Sequence, residues 1–293
     1  MANLVKKIRT NSGDLQIDYN ALANLPTISN PNLLINSDFR HPVNQRLQTS
    51  YTFNGTGVSY TIDRWCMNYH STLIVNDGYV TLQGNTDSNN YWYQHLEHAV
   101  TGTFTVSVYV RSITNTNGYM GFYTVDDDNG EYRRFTVSAG LNVITFNATN
   151  LNRVGFVAYK TGTIANIEWI KLEQSNVATQ FVPRPYGEEM ALCRRYYKKY
   201  DNNYFIGMGM ATSDGIALSL PQDPMRISSP KINILKTLYF NPSGSLTTKF
   251  VNLTADYAAI HEHIQLVSFK LGTATPGEIG RIYGAFELDA EIY

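Results

Sequence analysis

Charge is scarce in this chain. Only 16% of its 293 residues are charged, and 23 basic against 24 acidic side chains leave a formal net charge of −1. Phosphate backbones and anionic lipid surfaces are held by basic patches, so nucleic acid is excluded as a principal partner and no basic patch for a membrane is available. Long apolar runs are missing as well. No stretch approaches the roughly 20 residues of a bilayer span, which argues against membrane insertion. The first residues carry Lys6, Lys7 and Arg9 without the apolar centre of a secretory signal. Cysteine is limited to Cys66 and Cys193, far apart and without Cys-x-x-Cys spacing. Two such cysteines read as buried thiols rather than as a bridge or a zinc site. The G-x-S-x-G, Walker A, dinucleotide-binding and H-E-x-x-H patterns are also absent. Paired carboxylates for glycoside hydrolysis are set by space rather than by spacing, and nothing in the sequence singles out a pair. The expectation is therefore a binding protein, not an enzyme.

What the chain has in quantity is aromatic side chains, 13% of its residues, dominated by 21 tyrosines. Tyrosine joins a flat apolar face to a hydroxyl and suits wet binding surfaces, but it is also a strong strand former that simply fills sheets. Residues 1–30 form a polar lead-in. Within it, Asp18 offers a helix N-cap and Pro26 a stop, which predicts one short helix; with too few apolar positions for a core, the segment is a tail, an inter-subunit contact or an attachment segment. From residue 31 to 185 the pattern is β. Phe104, Val106, Val108 and Val110 alternate with Thr105, Ser107, Tyr109 and Arg111. Further strands are predicted at Tyr132–Val137, Val143–Asn147, Val154–Tyr159 and Asn166–Leu172, separated by turns such as Asn117-Gly118 and Thr161-Gly162. Many short strands at this spacing specify a sandwich or barrel.

Pro183 and Pro185 break the pattern. The spacing of Met190, Cys193 and Tyr197 predicts a helix over Glu188–Tyr200, inside a linking segment of 186–203, with acidic residues first and basic residues last. Residues 204–293 return to β and form a second, smaller domain. The fold class is all-β: a sandwich, one linking helix and a smaller C-terminal β domain.

Three stretches resemble a known family. Asn32-Leu33-Leu34-Ile35-Asn36-Ser37-Asp38-Phe39 looks like the opening strand of jelly-roll modules in phage tail fibres, related to the carbohydrate-binding modules of glycosidases, with Ser37 where that family often has Gly. Tyr60-Thr61-Ile62-Asp63-Arg64-Trp65 resembles the next hallmark. Trp169–Glu173 followed by Ala178–Pro185 resembles the closing strand, which leads into a Glu188-Glu189…Cys193-Arg194-Arg195-Tyr196-Tyr197 helix. The resemblance covers about 160 residues. It implies a jelly roll in a bacteriophage tail-fibre or receptor-binding protein, usually a homotrimer. Such a protein is assembled in the bacterial cytoplasm, resides in the virion tail, joins the tail or baseplate through its N-terminal segment and adheres to bacterial surface polysaccharide. Two further readings stay open beside it: a structural baseplate component that touches no receptor, and a free carbohydrate-binding module or weak glycan hydrolase.

Four aromatic residues are candidates for carbohydrate binding. In Asp87-Ser88-Asn89-Asn90-Tyr91-Trp92-Tyr93, amides and a carboxylate match sugar hydroxyls while three aromatics offer flat faces. On a strand Tyr91 and Tyr93 share one side and Trp92 takes the other, so one side is core. Trp65 beside Asp63 and Arg64 is either an exposed sugar platform or a buried ring covered by an Asp63–Arg64 ion pair. For metal, His261-Glu262-His263 is the sharpest candidate. Two histidines on one strand face, repeated around a threefold axis, would give six ligands to an axial ion, an arrangement the resemblance also implies; the alternative is a solvent-facing pair. Asp126-Asp127-Asp128-Asn129-Gly130-Glu131 has carboxylates for calcium but not the spacing of a calcium loop, and Asn-Gly between strands reads as a hairpin turn.

Overall fold

The computed structural model describes residues 7–10, 13–16, 29–55, 57–114, 118–126, 131–211, 215–221, 225–227, 229–242, 251–261, 264–270 and 276–291. The predicted helix at Asp18–Pro26 and the turn residues Asp127–Gly130 lie outside them. A small antiparallel pair, β1 (Lys7–Thr10) and β2 (Gly13–Gln16), lies in the lead-in.

The strands of the first domain are β3 (Ser50–Phe53), β4 (Val58–Tyr60), β5 (Cys66–Asn68), β6 (Ser71–Asn76), β7 (Tyr79–Gly84), β8 (Asn89–Thr114), β9 (Tyr119–Asp126), β10 (Glu131–Thr136), β11 (Gly140–Tyr159) and β12 (Ile164–Glu173). They form an all-antiparallel jelly-roll sandwich in which two strands serve both layers. The later part of β8 pairs with the start of β11 and with β12, and β7, β6 and β3 continue that layer. The early part of β8 pairs with β5 and with the end of β11, which continues through β9 to β10. Both long strands bend between the layers. In β11 the register shifts between Ala148 and Arg153, and Asn150 takes a left-handed φ of 56°, a conformation asparagine tolerates better than most residues. The two strands predicted separately at Val143–Asn147 and Val154–Tyr159 are thus halves of one strand.

The alternation read at Phe104–Arg111 sets the inner face. Phe104, Val106, Val108 and Val110 are fully buried against Trp92, Phe122 and Phe156 of the other layer. The segment Asn32–Phe39, expected as a strand, instead bends and joins the sheet by a single bridge, Asp38 opposite Trp169. The reason is local: Asn36 sits at φ 56°, and its amide is spent on the backbone, donating to the carbonyls of Val43 and Asp63 and accepting from Val43.

The helix α1 is shorter than its spacing predicts, running Tyr186–Arg194 rather than Glu188–Tyr200. The Tyr196 amide donates to the Cys193 carbonyl three residues back, and from Tyr197 the chain is strand β13 (Tyr197–Ala211), with Tyr197 opposite Asp289. Pairing with a distant strand overrides the helical tendency of Lys198 and Lys199. The remaining strands are β14 (Gly215–Pro221), β15 (Lys231–Pro242), β16 (Val251–His261), β17 (Ile264–Lys270) and β18 (Ile279–Asp289). With β13 they close into an antiparallel barrel in the order β13-β14-β17-β16-β15-β18, around Ile216, Leu218, Leu238, Phe240, Ile282 and Phe286.

The two domains meet through the motifs the sequence singled out. Asp63 and Arg64 do not pair with each other. Arg46 holds Asp63 at 3.1 Å, whereas buried Arg64 holds Glu291, just past the barrel's last strand, at 2.9 Å. The Arg64 guanidinium lies 3.6 Å from the centre of the Tyr196 ring, and that of Arg46 lies 3.8 Å from the Tyr197 ring. The Asp-Arg-Trp and Tyr-Tyr motifs, some 130 residues apart in sequence, therefore pack on one another. Cys66 and Cys193 are free and buried, and burial pushes both thiols up, away from the reactive thiolate.

Burial also pushes the Asp63 carboxyl up to about 7, against the downward pull of Arg46 and of the Gln45 amide. A folded-state value above that of the unfolded chain means the native state binds the proton more tightly. The stabilisation is complete below the unfolded value and is lost as pH rises through the folded one. Resistance to urea is expected to decline between about pH 4 and pH 7, with a shallower decline in Asp63→Asn. Denaturation midpoints across that range measure it; equal slopes for the two proteins would refute it.

Candidate functional site

Period-2 geometry divides the aromatic run as expected, with Trp92 in the core and Tyr91 and Tyr93 on the outer side of the sheet. Burial then corrects two of the four carbohydrate candidates. Trp65 and Trp92 are both 0% exposed, 4.6 Å apart between ring centres, and packed on Phe39 and Phe156. The Trp65 indole donates to the Asn36 carbonyl at 2.8 Å, and the Trp92 indole donates to Thr61 Oγ1 at 3.0 Å. Neither ring has a face to offer a sugar, because both indoles fill the space between the two layers. The polar part of the run is also engaged. Asn90 is buried and donates to the carbonyls of Thr86, Ser88 and Ala158, while Asp87 accepts from the Thr161 amide.

Tyr91 and Tyr93 do line a cleft. It has a volume of about 170 Å³ and is walled by Asn68, Tyr69, Tyr91, Tyr93, Tyr123, Arg134 and Arg153. Sheet register assembles it: β5 places Asn68 opposite Tyr91, β11 places Gly155 opposite both Tyr93 and Tyr123, and β10 places Arg134 opposite Tyr123. Gly155 is required here, because an added Cβ would lie 2.5 Å from the Tyr93 Cα. Tyr93 and Tyr123 are 2% exposed and form the floor, and burial raises both phenols, which keeps them neutral. Tyr91 is half-buried, with its ring centre 4.7 Å from that of Tyr123, and Tyr69, 46% exposed, stands at the rim. Arg134 Nη2 donates to the Tyr91 hydroxyl at 2.7 Å, and the Arg153 guanidinium lies 5.9 Å from the Tyr93 ring centre.

Sequence reasoning missed Tyr69, Tyr123, Arg134 and Arg153. Tyr69 follows β5, and the others lie on β9, β10 and β11, strands that only the sheet register brings together. Period-2 reading of Tyr119–Asp126 would have put Tyr123 on one face without saying which residues it meets.

A larger hollow of about 370 Å³ lies on the outer face of the other sheet, lined in part by Arg40, Leu141, Val143, Trp169 and Phe181. There the Trp169 ring lies parallel to Phe181, 4.6 Å between centres and 2° between planes, so part of its stacking surface is already taken by the chain itself. In the proposed metal motif, His261 ends β16 opposite Ile264, whereas Glu262 and His263 lie outside the described residues. Among the described residues, no group of three or more His, Cys, Asp or Glu side chains is placed to hold a metal ion.

No protein-family model matches the sequence, and no curated protein matches it. Solved structures with some similarity include the CBM22-1 xylan-binding domain of Paenibacillus barcinonensis Xyn10C, at 14% identity over 52% of this chain and 100% of that one, with a TM-score of 0.31. Another is the family 11 carbohydrate-binding module of the Clostridium thermocellum cellulase Lic26A-Cel5E, at 12% identity over 51% of this chain and 97% of that one, with a TM-score of 0.27. PfGH50B matches at 9% identity over 69% of this chain and 40% of that one, with a TM-score of 0.30.

Proposed function

We propose that this chain is a receptor-binding subunit of a bacteriophage tail or phage-derived particle, which adheres to bacterial surface glycan through the tyrosine-walled cleft without turning it over. The observation that carries the glycan reading is the cleft itself. A sugar needs a flat apolar face for its ring and hydrogen-bonding groups at the margin, and Tyr69, Tyr91, Asn68 and Arg134 supply these in one concavity. The tail-fibre reading is supported by the ordered motifs Asn32–Phe39, Tyr60–Trp65 and Trp169–Pro185, of which Tyr60–Trp65 packs on Tyr196 and meets Glu291 at the junction between domains. In this proposal residues 1–30 face the particle, and three copies raise a modest affinity per site by multivalency.

Purified protein is expected to bind host cells and their extracted envelope polysaccharide. Its mass by light scattering is expected near three times 33.0 kDa. Tyr69→Ala and Tyr91→Ala should each weaken polysaccharide binding up to about tenfold with the melting temperature kept, since loss of one aromatic contact removes about 0.5–1.5 kcal/mol. A protein that ignores host cells and every envelope glycan would overturn the proposal in favour of a purely structural tail component.

A further inference from the structure

The cleft has a charge as well as a shape. Eight arginines lie between residues 29 and 185, and six of them, Arg40, Arg46, Arg64, Arg111, Arg133 and Arg184, hold a carboxylate. Among the described residues the two that form no ion pair, Arg134 and Arg153, are the two in the cleft wall. Among the described residues, no acidic side chain lines it. On the same sheet, Asp126 belongs to the opposite pleat from Tyr123 and Val125 and is held by Arg133 at 2.9 Å. Arg153 Nε is buried and has no hydrogen-bond partner. A guanidinium with one donor buried and unsatisfied, and with no carboxylate paired to it, is suited to an oxyanion, which its planar donor array fits in two-point fashion.

From this we infer that the ligand is an anionic saccharide. Its ring packs against Tyr91 and Tyr69, and its carboxylate or phosphate oxygens accept from Arg134 and Arg153. The inference rests on the glycan reading above and narrows it. It also assigns Arg134 two tasks, since its bond to the Tyr91 hydroxyl holds the aromatic wall while guanidinium donors beyond those engaged by Tyr91 and Tyr119 serve the ligand.

The test compares three probes of equal length on the full chain by calorimetry: a hexuronic acid oligosaccharide, the same oligosaccharide with its carboxyls reduced to alcohols, and a sugar-phosphate oligomer. At least one anionic probe should bind about tenfold or more tighter than the reduced one, with the preference shrinking as salt is raised. Which anion is favoured identifies the oxyanion, and either supports the inference. An Arg134→Gln/Arg153→Gln variant should bring the preference below about threefold, read as the ratio of anionic to neutral affinity in that same variant. A single Arg134→Lys variant, which keeps the charge and alters the wall least, should retain most of the preference. Equal binding of neutral and anionic probes, or a preference that survives loss of both arginines, would overturn the inference and leave the glycan proposal standing. Failure of all three probes, together with failure of whole envelope extract, would overturn both.

Discussion

Glu291→Ala is expected to destabilise the sandwich, although Glu291 belongs to the other domain. The carboxylate is fully buried, 2.9 Å from the Arg64 guanidinium and 3.7 Å from that of Arg46. Arg64 is itself 1% exposed, and its remaining contacts are the His95 carbonyl and the face of Tyr196, neither of which neutralises a full charge. Removing one partner of such a pair leaves a charge in a low-dielectric interior and costs about 3–5 kcal/mol. The design of the chain makes the measurement direct. All three tryptophans, Trp65, Trp92 and Trp169, lie in the sandwich, so their fluorescence reports that domain alone. A lower urea midpoint in tryptophan fluorescence for Glu291→Ala would show that the barrel's end stabilises the sandwich. An unchanged midpoint would show the junction to be inert. Adding Arg64→Met should recover part of the loss, since an apolar residue in that slot carries no unpaired charge.

Trp92→Ala should be as severe and should differ in kind. The indole touches Phe39, Trp65 and Phe156 and spans the gap between layers, so truncation leaves a large cavity and strands Thr61 Oγ1 without its donor. Truncations of this kind cost about 3–5 kcal/mol. For a domain of this size the melting temperature falls by roughly 6–20 °C. Tyr69→Ala, at the rim, should leave that temperature within about two degrees, because surface changes away from special features stay near ±0.5 kcal/mol. If both substitutions had the same effect on melting and on binding, the division between a structural inner face and a functional outer face would be wrong.

That division was partly legible in the sequence. The strict alternation of Phe104 to Arg111 declared an inner and an outer face, and the Tyr91-Trp92-Tyr93 triplet had to split between them. Local patterning could also place a turn between Asp126 and Glu131 and a helix shortly after Pro185, two residues late at its start, since these depend on neighbours in the chain. It failed wherever pairing between distant segments decided the outcome. Tyr197–Tyr200 carried a helical charge pattern yet became strand because β18 offered its backbone partners. Asn32–Phe39 had strand-like composition, but the Asn36 side chain competed successfully for the backbone. The cleft was half visible: Tyr91 and Tyr93 were singled out, whereas Arg134 and Arg153 looked like any surface arginine. What distinguishes them is the lack of a carboxylate opposite, a property of register that no local window contains.

The manner in which the barrel is seated has one more consequence. Its first residue, Tyr197, lies opposite Asp289 at the end of its final strand, so the chain enters and leaves at the same pole. That pole is also where Arg46 and Arg64 grip Tyr197, Tyr196 and Glu291. The barrel is accordingly tied to the rest of the chain at one end. A foreign antiparallel barrel with adjacent ends, grafted between Lys198 and Leu288, would keep these three side chains but would have to replace Arg226, whose amide donates to the Arg195 carbonyl, and Glu287, which accepts from the Tyr197 hydroxyl.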